Sequence, residues 1–186
     1  IEDFVQDAVE SGGLLMMWEI SDLDDLENDP EVTVTLRFGM GTPLLGTDGL
    51  LLSGQTFRPN PDKEAVVIPA KLENGRITTE PFDGKLPIKV FHVHYELELK
   101  DARMSAELTF DGGLINGVMG GKVPLSNLMA IAVVADGEAG GILDSVTFVL
   151  EGMGDMDRDA DGKCQALSAA LAFSAVSGFF YEDVEE

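Results

Sequence analysis

LPIKVFHVHYELELKDARMSAELTF (residues 86–110) decides the fold class. Phe91, Val93, Tyr95, Leu97 and Leu99 fall on one face of an extended chain, and His92, His94, Glu96 and Glu98 on the other. Strict alternation of this length is the signature of a β-strand with one face covered. After Asp101 the apolar set moves to even numbers: Ala102, Met104, Ala106, Leu108, Phe110. A one-residue phase change in a strand predicts a bulge or bend near Lys100-Asp101. We therefore expect one long strand over 86–99 that continues, bent, toward 110.

Outward from this stretch the β pattern recurs. Val66–Glu73, Asn74-Gly75 and Arg76–Glu80 read as a hairpin, because Asn-Gly supplies the positive φ angles of a two-residue turn. Val32, Val34, Leu36 and Phe38 alternate with polar residues and predict a half-buried strand. Leu14–Ile20 is almost continuously apolar, broken only by Glu19, and predicts a strand buried on both faces. A further strand is expected near 55–58 within a loop-rich 39–63. Asp111-Gly112-Gly113 turns the chain into another at 114–119. The alternation at 167–175 gives the last. Helical spacing is confined to residues 2–11, to an apolar and therefore buried helix at 125–135, and to 142–153, where strand is the competing reading. Many short strands with Gly-rich turns imply a mainly β protein. The expected form is a two-sheet β-sandwich (jelly-roll-like) or a flattened barrel, with a few short capping helices. No linker or repeat divides the 186 residues, so a single β-rich domain over 1–186 is expected.

Composition limits the partners. Thirty-four acidic residues against 12 basic ones give a formal charge of −22. Such a surface repels phosphate backbones and anionic lipid, so nucleic acid is not an expected partner. No apolar run is long enough for a membrane span. The single Cys164 forms no internal disulfide. The chain begins at Ile1 and not Met, which is read as a removed leader and hence export.

One motif carries specific chemistry. In DMDRDADG (155–162) Asp155, Asp157, Asp159 and Asp161 alternate, and Gly162 permits a sharp turn. A curled loop of this kind directs several hard oxygen ligands to one centre and suits calcium, with the Lys163 carbonyl and Gln165 (through water) completing the set. The twelfth position from Asp157 is Ser168 instead of the closing Glu of an EF-hand, and a strand follows instead of a helix. Read without an ion, the same residues are a solvated acidic turn.

Weaker candidates are the acidic cluster Asp22, Asp24, Asp25, Glu27, Asn28 and Asp29, and the pair His92/His94 beside Glu96. The first is a possible second calcium site or a solvated loop. The second is a two-ligand zinc fragment or two polar residues on a strand face. Trp18 belongs in the core before it belongs in a sugar platform. No phosphate-binding loop, dinucleotide fingerprint or nucleophile elbow occurs.

DAVESGGLLMMWEISDLDDLEND (7–29), GTDGLLLSGQTFRPNPD (46–62), MGGKVPLSNL (119–128) and DADGKCQALSAALAFSAV (159–176) together resemble uncharacterised exported, lipoprotein-like proteins of myxobacteria and related bacteria. The resemblance implies export, cell-surface placement and a complete C-terminus, and it adds no site residues beyond Asp157, Asp159 and Asp161. The function expected is non-catalytic: a calcium-stabilised extracellular or cell-surface structural protein, self-assembling into a homo-oligomer, filament or lattice through strand edges. The alternatives are a calcium-dependent carbohydrate-binding module, with glycan as partner, and a metal-assisted hydrolase using His92 and His94.

Overall fold

A computed structural model describes residues 2–90, 93–139, 141 and 143–181. The protein is mainly β. Eleven strands are joined by hydrogen bonds in the order β11-β3-β2-β4-β5-β7-β8-β10-β9, with β1 added to β2 and β6 to β7, and the path does not close on itself. In chain order the strands are β1 (Met16–Ser21), β2 (Asn28–Met40), β3 (Gln55–Pro59), β4 (Val66–Glu73), β5 (Arg76–Thr79), β6 (Phe82–Val90), β7 (Val93–Leu108), β8 (Leu114–Pro124), β9 (Met156–Arg158), β10 (Cys164–Ala175) and β11 (Gly178–Phe180). The helices are α1 (Glu2–Glu10), α2 (Leu125–Ala139) and α3 (Leu143–Met153). No described helix is long and apolar enough to cross a membrane.

The chain divides into two compact units, each discontinuous in sequence: Ile1–Glu80 with Met104–Val118 and Ala172–Glu186, and Pro81–Arg103 with Met119–Leu171.

In the first unit the Asn74-Gly75 turn forms as expected, with φ of 52° and 73°, and β4 pairs antiparallel with β5. Val34, Leu36, Ile68, Leu72, Ile77 and Met104 are almost completely buried. Each such side chain contributes roughly 1.5–3 kcal/mol relative to exposure. Two strands exchange the roles expected of them. β1 pairs only with β2 and is an edge strand of mixed exposure, whereas β2 buries Val34, Thr35 and Leu36 in succession and so is covered on both faces. The reason is position in the ladder: β2 has β1, β3 and β4 as partners, and β1 has one.

Trp18 on β1 and Phe173 on β10 stack with ring centroids 6.4 Å apart and planes inclined by 18°. Six strand steps separate β1 from β10 along the ladder. A flat sheet would hold them roughly 29 Å apart at about 4.8 Å per step. The sheet of this unit is therefore folded over its own apolar face, which gives the sandwich-like packing of a mainly β fold. Trp18 is part of that packing, as the sequence suggested.

In the second unit residues 86–90 do not continue into β7. They belong to β6, which runs antiparallel to it with Val90 opposite Val93. The expected strand over 86–99 is a hairpin, and the apolar set moves from even numbers (Leu86, Ile88, Val90) to odd ones (Val93, Tyr95, Leu97, Leu99) from one arm to the other. The expected bulge is present. Gly84 pairs with Leu99 and Phe82 with Ala102, so Asp83 alone faces Lys100 and Asp101, and Asp101 has φ of 49°. Asp83 accepts hydrogen bonds from the Lys100 ammonium at 3.0 Å and the Asp101 N–H at 3.1 Å, which tie the extra residue down.

Helices α2 and α3 pack on each other. Asn127 holds α2 to β7, donating to the Glu96 carbonyl and accepting from the Glu98 N–H, both at 3.1 Å. The apolar α2 was expected to be buried. Among its described side chains only Ala132 is, and α3 buries none, with Phe148 80% exposed. Apolar composition buries a helix only where another element supplies an opposing face.

Candidate functional site

The expected ion-binding loop is the connection between β9 and β10. Arg158 pairs with Cys164 and Met156 with Ala166, so residues 159–163 form the turn of a hairpin. Gly162, with φ of 80°, supplies the left-handed conformation that closes it. Asp159 organises the turn from inside. Its Oδ1 accepts the N–H groups of Asp161 at 3.0 Å and Lys163 at 2.9 Å, and its Oδ2 accepts the Gln165 side-chain amide at 2.8 Å. Arg158 donates to the Gly162 carbonyl at 2.8 Å across the same turn.

The other carboxylates point elsewhere. Asp155 lies before β9 and accepts both the N–H of Ser168, at 2.7 Å, and the Ser168 hydroxyl. Those two bonds, the hydroxyl first, hold the Asp155 carboxyl below its ordinary range. Asp157, with φ of 52°, reaches back to β8, where Lys122 Nζ lies 2.9 Å from its Oδ1 and 2.8 Å from Asp101 Oδ2. The two carboxylates, Asp101 before Asp157, raise the affinity of Lys122 for its proton.

Calcium requires oxygen lone pairs directed at one point. Here Asp159 already accepts three N–H donors, Gln165 turns its NH2 group inward, and Asp157 is neutralised by an ammonium. Asp159, Asp161, Lys163 and Gln165 share the turn, whereas Asp155 and Asp157 are directed to Ser168 and Lys122. Among the described residues no group of three or more His, Cys, Asp or Glu side chains is placed to hold a metal ion.

The acidic cluster at 22–29 behaves similarly. Asp29 is buried and accepts the N–H groups of Asp24 at 2.7 Å and Glu31 at 3.0 Å, which lower its carboxyl pKa. Asp25 accepts the N–H of Glu27 at 2.7 Å. These carboxylates act as turn caps. His92 lies outside the described residues. His94 is in β7 opposite Lys89, and the neighbouring Glu96 pairs with Lys85 at 3.2 Å.

The chain matches no protein-family model, no curated protein and no solved structure.

Two features of the site have no local signal in the sequence. Lys122 is 35 residues from Asp157, and Ser168 is 13 from Asp155. Only strand register brings either pair together. A third feature is legible. From Cys164 to Tyr181 no residue is charged, the longest such run in a chain that is 25% charged. This run contains β10. Its ladder partners are β8 and β9, and β9 is only three residues long. On the β9 side Ala166 accepts the Asp155 N–H at 3.1 Å and Ser168 donates to the Asp155 carboxylate. Backbone groups of alternate residues point to the same side of a strand. Ala170, Ala172 and Ser174 therefore turn their N–H and C=O groups to the side where β9 has ended. Their side chains are small and exposed.

Proposed function

We propose that this is a non-catalytic structural protein of the cell surface or extracellular space, which associates with copies of itself through the free edge of β10. The observation that carries the reading is that edge: among the described residues no strand pairs with β10 beyond the end of β9, and Ala170, Ala172 and Ser174 bring to it no charge, no proline and no bulky side chain. Soluble β proteins ordinarily guard such an edge with Lys, Pro or a bulge. Strand addition to it supplies main-chain hydrogen bonds to each partner. Charge favours this location for a contact between copies. Two molecules of charge −22 repel each other, and an uncharged strand edge lets backbones meet without opposing carboxylates. The resemblance to exported proteins supports the placement. Calcium enters the reading as a competitor with the N–H donors of the β9–β10 turn for the Asp159 carboxylate.

Sedimentation velocity across a concentration series tests the proposal, together with Ala172→Lys, which adds one charge to the edge without removing a packed side chain. The wild-type protein is expected to shift to larger species with concentration and the variant to stay monomeric at an unchanged melting temperature. A wild-type protein that is monomeric at about 100 μM, where weak transient contacts still register, would remove the reading. So would a variant that associates as the wild type does.

A further inference from the structure

We propose that an open cleft at the ends of β2 and β3 binds a small amphiphilic carboxylate, a molecule with an apolar body and a single anionic head. The inference rests on the cleft alone and is independent of the β10 edge. The cleft has a volume of about 400 Å³ and lies within the first unit. That falls in the range of small-molecule sites. Met40, Leu44, Phe57 and Tyr181 give it its apolar walls, beside the polar Thr42, Gln55, Thr56 and Arg58. Leu44 is 65% and Tyr181 56% exposed.

These exposed side chains are held in place by their backbone. Leu45 bridges Leu51, the Gly46 N–H donates to the Leu50 carbonyl at 2.7 Å, and the Leu52 N–H to the Leu44 carbonyl at 3.1 Å, so the leucine-rich loop is a small ordered hairpin. Gln55 fastens it to β3. Its Oε1 accepts the Leu44 N–H at 2.6 Å, and its Nε2 donates to the carbonyls of Leu44 and Leu52 at 3.0 and 2.7 Å. On the other side β11 pairs parallel with β3, and the Tyr181 N–H donates to the Phe57 carbonyl at 2.9 Å, which fixes the backbone at Tyr181. A preorganised, solvent-facing apolar surface of this kind marks an interaction site.

The head group follows from Arg58, the one cation lining the cleft. In a chain so rich in carboxylates, Arg37, Lys71, Arg76, Lys85, Lys100 and Lys122 each hold one within 3.2 Å. Arg58, like Arg103, Arg158 and Lys163, holds none among the described residues, and of these it alone lines the cleft. A guanidinium is suited to bidentate pairing with a carboxylate, and Arg58 lines the same cleft as Phe57. One unpaired cation at an apolar trough selects a ligand with one anion and an apolar tail.

The protein's own field makes the test discriminating. A chain of charge −22 attracts cations overall, so a preference for an anionic amphiphile has to come from a local group. Calorimetric titration with decanoate and with decyltrimethylammonium, both below their micellar concentrations, compares the two. Saturable binding of decanoate is expected, tighter than that of the cation. Arg58→Gln is expected to weaken decanoate about tenfold, the loss of one charge-assisted pair, and to leave the cation no weaker. Leu44→Ser is expected to weaken decanoate without altering the melting temperature. Absence of saturable decanoate binding, a tighter cation, or an Arg58→Gln variant that binds decanoate as the wild type does would each overturn the proposal.

Discussion

The Lys122 ammonium lies 2.9 Å from the Asp157 carboxylate, in the place where the sequence suggested a metal ion would neutralise the acidic loop. The cation is part of the chain, carried on β8, and it also serves Asp101 at 2.8 Å. Replacing it leaves two carboxylates facing each other on an already anionic surface. Lys122→Met is expected to lower the melting temperature by about 2–3 °C at low ionic strength, the scale of a partly exposed ion pair, and by less in 0.5 M salt. Thermal melts at two salt concentrations check this. A loss that does not shrink with salt would assign the effect to packing instead of charge.

The donor inventory of the β9–β10 turn makes a statement about calcium. Binding stabilises a fold only if the folded state offers a site. With Asp155 and Asp157 turned to Ser168 and Lys122 and not toward Asp159, millimolar calcium is expected to move the melting temperature by less than about 1 °C relative to magnesium at equal ionic strength. A calcium-specific rise of several degrees, abolished by Asp159→Asn, would show that the turn rearranges around an ion.

Acid stability follows from groups whose folded-state pKa values are displaced. The carboxyls of Asp29, Asp83, Asp111 and Asp155 lie below their ordinary value of 3.8, and that of Glu107 below 4.5. Their contribution is fully present above those ordinary values and is lost as pH falls through the lower folded ones. Lys100 and Lys122 are displaced upward from 10.5, so their contribution is present below that value and lost as pH rises past it. These groups therefore leave a plateau between about pH 5 and 10, with an acid limb that begins near pH 4. Asp155→Asn removes one titrating group and is expected to make that limb shallower, while the alkaline limb is unchanged. Equal acid limbs in denaturant melts at pH 2.5–7 would refute the role given to the Ser168 bonds.

What was legible in the sequence depended on the range of the signal. The Asn74-Gly75 hairpin, the phase change at Lys100-Asp101 and the alternation ending in β10 are local, and each appears where its residues placed it. Position within the ladder is not local. Nothing in Met16–Ser21 says that it has one neighbour while β2 has three. The hairpin of β6 and β7 does have a local signal, the apolar set changing from even to odd numbers between Val90 and Phe91. The acidic loop is legible in its own residues, whereas the partners of Asp157 and Asp155, Lys122 and Ser168, arrive through register.

The exposed helices give a prediction that separates composition from packing. Phe148 on α3 is the kind of residue whose truncation normally costs several kcal/mol in a core. At 80% exposure it touches too little to do so here. Phe148→Ser is expected to change stability by less than about 0.5 kcal/mol, as surface substitutions do. A loss of about 2 kcal/mol or more in chemical denaturation, the range of a core truncation, would mean that α3 is covered in the folded protein in solution.

The stacking of Trp18 on Phe173 is the contact that folds the first unit's sheet over, so it is where packing is most strongly coupled. Either residue to Ala is expected to cost about 2–3 kcal/mol, below the full core value because both are only partly buried. The double variant is expected to lose about 0.5–1.5 kcal/mol less than the sum, the increment of an aromatic pair. Gly117 tests the same contact from the backbone. A Cβ there would lie 2.7 Å from Phe173 Cζ and 2.8 Å from its carbonyl oxygen, so Gly117→Ala is destabilising. Adding Phe173→Ala relieves the ring clash but leaves the carbonyl clash, and the rescue is therefore partial. Strict additivity of Trp18→Ala and Phe173→Ala in denaturant melts would mean that the two rings stabilise the fold independently and that the folded-over sheet is held by the aliphatic core alone.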